Sequence, residues 1–112
     1  MDRYIILLPL NFNDGSAVPK KVLREALEAL CELADGYTIE GNVQGVYRMT
    51  SGRKQEDVLM KVWVLIGPEK ADALKKLVSG FCRRMGQEKI WMERTFGFVE
   101  LVGPDGPTGG VL

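Results

Sequence analysis

The run from Tyr37 to Ile66, YTIEGNVQGVYRMTSGRKQEDVLMKVWVLI, reads as two long strands joined by a polar, glycine-containing turn. In its second half Val58, Met60, Val62, Val64 and Ile66 are all apolar, whereas Leu59, Lys61, Trp63 and Leu65 are mixed. Alternation with a period of two sends these sets to opposite faces of a sheet. The even set is expected to face the core. The odd set carries a lysine and a tryptophan among leucines, too apolar for a solvated surface and too polar for an interior, so something is expected to cover it.

In the first half the odd positions, Tyr37, Ile39, Gly41, Val43, Gly45 and Tyr47, are expected to look inward. Gly41 and Gly45 mark bulges or close backbone approach. Met49 to Glu56 is the expected connection, with Ser51 and Gly52 at its turn.

The rest of the chain supplies partners for this hairpin. Tyr4 to Leu10 is a nearly continuous apolar run of strand length, the pattern of a strand in the middle of a sheet. The following NFNDGSAVP is loop chemistry, in which Asp14 or Ser16 can bond free amides and Pro19 suits a first helical position. From Pro19 to Ala34, Val22, Leu23, Ala26, Leu27, Leu30 and Leu33 recur at helical spacing, and Gly36 is expected to stop the helix. A second amphipathic helix is expected from Gly67 and Pro68 to about Met85, closed by Gly86, with close packing at Gly80. Ile90 to Arg94 and Phe96 to Val102 read as strand, bent or split at Thr95 to Gly97. The expectation is one domain over 1–102 and a disordered tail over 103–112.

Strand, helix, strand, strand, helix, strand is the order of the α+β ferredoxin-like βαββαβ sandwich, an antiparallel sheet with two helices on one face. Two helices cover one side only. The other side is expected to carry Lys61, Trp63, Trp91 and Glu93, and these are the candidate interface residues.

Composition narrows the function classes. Lys plus Arg equals Asp plus Glu, 15 each, so net charge offers no case for a nucleic-acid or membrane partner. The first strand also lacks the aromatic motif of RNA-binding sheets. There is no histidine, which removes the usual general base near neutral pH, the commonest metal ligand and the usual nucleophile systems; no metal and no cofactor are expected. Cys31 and Cys82 are far apart, both within helix patterns, and are expected to be buried thiols in a reducing cytoplasm. The opening MDRYIILLPL is a poor signal peptide, and no apolar run approaches the roughly 20 residues of a membrane span.

YIILLPLNFNDG at the start, GYTIEGNVQGVYR, KVWVLI and the closing MGQEKIWMERTFGFVELV together resemble a group of small bacterial proteins with a ferredoxin-like pattern and no assigned activity. The resemblance extends to about Val102 and implies the fold and a bacterial source. It implies no reaction.

Four residues are candidates for ligand contact. Tyr47 and Arg48 end the second strand and are suited to holding a carboxylate or phosphate. The plainer reading pairs a surface arginine, Arg48 or Arg53, with Glu56 or Asp57. Gln87 and Glu88 follow the second helix, where they either cap carbonyls and pair with neighbouring loops or meet a ligand. Lys61 and Glu93 are suited to a salt bridge within an interface. The loop Met49 to Glu56 has a distant analogy with the ligand-sensing loops of PII-type regulators, without their phosphate-cradling glycines. The expected function is a non-enzymatic homo-oligomer associating through the open sheet face, with a small ligand or protein partner. The alternative is a small cofactor-free enzyme of the dimeric α+β barrel type using Tyr47, Arg48, Lys61 or Glu88.

Overall fold

The structure, a computed structural model, describes residues 1–96 and 100–111. Strand β1 (Asp2–Pro9) leads through a loop into helix α1 (Lys20–Ala34), then strands β2 (Thr38–Arg48) and β3 (Lys54–Ile66). A turn of 3₁₀ helix, Pro68–Lys70, precedes helix α2 (Ala71–Arg84), and β4 (Met92–Thr95) completes an antiparallel sheet of order β2-β3-β1-β4. This is the α+β ferredoxin-like arrangement, with β1 central as its unbroken apolar run requires.

The core lies between the helices and one face of the sheet. Tyr4, Ile6 and Leu8 of β1 and Val62, Val64 and Ile66 of β3 meet Ala26 and Leu30 of α1 and Leu74, Val78 and Phe81 of α2. Lys70 donates from Nζ to the Leu33 carbonyl at 2.9 Å, placing a cation at the C-terminus of α1 where the helix dipole favours it. Asp35, with φ 62°, is the left-handed residue that ends α1, and its N–H bonds the Cys31 carbonyl. Gly36, expected in that role, has ordinary backbone there. Gly86 does end α2 left-handed, with φ 61°. No side chain crowds Gly80 closely: the nearest atom to a methyl group built there is an Arg83 nitrogen at 3.9 Å.

Two expectations about sheet faces need correction, and both concern length and register. Val58 is exposed rather than core, because helices of 15 and 14 residues span roughly 22 Å while the 13 residues of β3 run roughly 43 Å. The helices therefore leave the Lys54 end of β3 uncovered. In β2 a bulge between Ile39 and Gly41 shifts the register, so Ile39 pairs with Val62 on the helix side while Val43 pairs with Leu59 on the other. The odd residues of β2 thus do not share one face: Val43, Gly45 and Tyr47 turn away from the helices.

Cys31 is exposed and Cys82 half-buried, and both are free thiols, so Cys31 is not the buried residue expected. At the far edge Arg94 donates to the Asp2 carboxylate from Nε at 2.8 Å and from Nη2, and its guanidinium stacks over Phe96 at 4.7 Å. The bond to Asp2 raises the arginine further above its already high ordinary pKa. Strands β5 (Glu100–Gly103) and β6 (Gly106–Val111) form a separate two-stranded sheet, turning at Pro104 and Asp105. A Pro-Asp-Gly sequence is turn chemistry between strands. The part of the expected strand over 97–99 lies outside the described residues.

Candidate functional site

Opposite register partners share a face, so the helix-free side of the sheet can be written out from the pairing. Arg3, Ile5, Leu7 and Pro9 of β1 stand beside Leu65, Trp63, Lys61 and Leu59 of β3, with Glu93 opposite Ile5 on β4. Ile5 and Leu59 are buried even though no helix covers them. They belong to a second, smaller apolar patch outside the main core. Arg3 lies over the Trp63 ring at 5.6 Å, a cation on an aromatic face.

At the Leu59 end this face opens into a cavity of about 600 Å³. Leu7, Pro9 and Leu59 form its apolar floor, Tyr47 and Asp57 come from the extended hairpin, and Gln87 to Met92 supply the opposite wall. The hairpin reaches that wall because the tip of its turn is tied to it. Thr50 donates to the Glu88 carboxylate twice, from its hydroxyl at 2.6 Å and its amide at 3.2 Å. Gln87 in turn donates to the carbonyls of Met85 at 3.0 Å and Asn11 at 3.3 Å, and Asn13 donates to the Gly86 carbonyl at 3.1 Å. Three loops that are remote in sequence are thereby tied to one another.

Tyr47 reaches its place over a glycine. A methyl group at Gly45 would lie 2.5 Å from the Tyr47 ring, so the missing side chain is what lets the ring lie back along the strand. Asp57 pairs with Gly45 across the ladder and is 8 % exposed. The Asp57 Oδ1 accepts one long hydrogen bond, 3.4 Å from Gln55 Nε2.

All four expected ligand residues, Tyr47, Arg48, Gln87 and Glu88, line this cavity. Arg48 does not pair with an acid: its Nη1 donates to the Gly52 carbonyl at 2.9 Å and so closes its own turn. Of the four expected interface residues, Lys61, Trp63 and Glu93 stand on the helix-free side. Trp91 precedes β4, lines the cavity and is 56 % exposed, while its carbonyl accepts from the Leu7 amide. The ion pair of Lys61 is with Glu40, at 3.2 Å, rather than with Glu93. Glu40 is the extra residue of the β2 bulge, a position no spacing rule assigns.

Asp57, Thr50 and Leu59 escaped the sequence reading as site residues. Asp57 shares the odd row of β3 with Leu59, and an acid in line with leucine and tryptophan was the available signal. Among the described residues no cluster of acids or thiols is placed to hold a metal, and no helix is long and apolar enough to cross a membrane.

The fold and site define a small α+β domain of the ferredoxin-like type with a cavity at the open end of its sheet. No family model matches the chain, and no curated protein matches it. Among solved structures it is similar to a phage SAM lyase in complex with S-methyl-5'-thioadenosine, at 14% identity and TM-score 0.67, covering 84% of this chain and 79% of that one. A phage SAM lyase in its apo state gives TM-score 0.63 at 14% identity, covering 84% of this chain and 78% of that one. The divalent cation tolerance protein (Cut A1) from Thermus thermophilus gives TM-score 0.52 at 20% identity, covering 87% and 84%. Likeness at such identities concerns the fold.

Proposed function

We propose that this chain is a homo-oligomeric α+β module of the cytoplasm that binds a small organic molecule in the cavity beside Leu59, with a second copy covering the open sheet face. The observation that carries the reading is the placement of the cavity on the same helix-free side as Trp63 and Leu65. A copy seated on that side would close the cavity as it buried the apolar row. Glu93, which makes no ion pair among the described residues, and Arg3 give the face both signs of charge, which a self-complementary interface can pair. Two free thiols suit a reducing compartment.

A cavity of about 600 Å³ falls within the range of small-molecule sites. The phage lyase of similar fold holds a nucleoside thioether, which makes S-methyl-5'-thioadenosine the first probe to try. Light scattering after size exclusion tests the assembly: the expected result is an oligomer at micromolar concentration that Trp63→Ala weakens. A strict monomer, unaffected by that substitution, rejects it. Calorimetry with the thioether tests the cavity, with Leu59→Trp, which fills the floor, as the variant that should abolish uptake.

A second reading as a small cofactor-free enzyme draws on one feature, the presence of the Asp57 and Glu88 carboxylates and the Tyr47 phenol around one cavity. These are groups able to move a proton. Turnover of the phage enzyme's substrate, lost in Asp57→Asn, would favour it.

A further inference from the structure

Asp57 is the one charged side chain buried among the described residues, at 8 % exposure. Burying a carboxylate is costly unless a cation or several hydrogen bonds compensate it. Here the compensation is thin. No lysine or arginine of the described residues lies within ion-pair distance of Asp57, and its one hydrogen bond is the 3.4 Å contact from Gln55. Among the described residues no buried side-chain polar atom is left without a partner, so the second carboxylate oxygen is not sealed in, and Asp57 lines the cavity.

The geometry points to an organic cation as the ligand of this cavity, its charged group seated on the Asp57 carboxylate and its apolar part on Leu7, Pro9 and Leu59. The inference rests on the cavity being the binding site proposed above. Two cations also line the opening, and they do not reverse the sign. Arg48 and Lys89 are exposed, so water stabilises their charge, and Arg48 is committed to the Gly52 carbonyl. The one charged side chain that is mostly withdrawn from solvent without a charged partner is negative. Tyr47 and Trp91 add two aromatic rings to the lining, and ring faces attract ammonium-type groups most strongly where water is excluded. A neutral ligand of the same shape would satisfy the floor and the rings and leave Asp57 as it is.

The test uses phenethylamine and its neutral counterpart 2-phenylethanol, measured by calorimetry and ligand-observed NMR on the full chain. The amine is expected to bind at least about tenfold more tightly, equivalent to about 1.4 kcal/mol. Asp57→Asn should bring the two affinities together while the alcohol's is retained. Asp72→Asn, which neutralises an exposed carboxylate in the first turn of α2, should keep the preference. In the unsubstituted protein the Asp57 carboxyl carbon should shift on titration with the amine and not with the alcohol, a readout independent of whether the variant folds. Equal binding of the two probes overturns the cation and leaves the cavity standing. A preference that survives Asp57→Asn, or an unmoved Asp57 resonance, also overturns it. Failure of both probes at millimolar concentration rejects the cavity itself and the inference with it.

Discussion

Thr50 gives both its amide and its hydroxyl to the carboxylate of Glu88, 38 residues further along the chain. The bond joins the tip of the hairpin to the loop before β4, so it links two walls of the cavity that both residues line.

Replacing Thr50 by Val keeps the shape of the residue and removes the hydroxyl donor. The expected result is faster amide exchange over residues 49–53, with core amides at Ile6 and Val64 unchanged. Charged hydrogen bonds are the stronger kind, but this one is exposed to water. The effect should therefore be local opening rather than loss of the fold. Unchanged exchange at the tip would show that the turn's own bonds, Met49 to Arg53 and Gly52 to Met49, hold it without Glu88.

Leu59 and Val58 offer a direct comparison of the two sheet faces at the uncovered end. Leu59 is 6 % exposed and Val58 37 %. Leu59→Ala is expected to cost about 2–3 kcal/mol, near the low end for a core leucine because a cavity already adjoins it. Val58→Ala should stay within about 0.5 kcal/mol. Urea unfolding midpoints with unchanged slopes decide the matter. The reverse ranking would restore the even row as the core along the whole strand.

The same two residues explain where sequence reading stopped. Period-two alternation correctly places Val62, Val64 and Ile66 against the helices, and helical spacing finds α1 and the end of α2 to within a residue, whereas the expected start of α2 at Gly67 and Pro68 is a 3₁₀ turn that precedes Ala71. Alternation assigns faces but not extent. Nothing in the pattern says that the helices end before Val58. Gly41 signalled a bulge, yet its consequence, that Ile39 and Val43 look in opposite directions, follows only from the register with β3. The cavity was half legible. Tyr47, Arg48, Gln87 and Glu88 all line it, but their convergence depends on Thr50 meeting Glu88, a long-range contact between two polar residues that apolar patterning does not register.

Asp14 and Ser16 sit in the loop between β1 and α1, where the Ser16 hydroxyl and amide donate to the Asp14 carboxylate at 2.5 and 2.9 Å. The side-chain bond first, and the backbone bond second, hold the carboxyl below its ordinary value. A carboxylate lowered on folding contributes stability that is complete above its unfolded pKa of about 3.9 and is lost as pH falls through the lower folded value. Ser16→Ala removes the larger cause, so the Asp14 carbon should titrate closer to the ordinary value in NMR. The stability gap between the two proteins should be constant above about pH 5 and close below the unfolded pKa. A gap that widened in acid would mean that Ser16 serves the loop through some contact other than the Asp14 carboxylate.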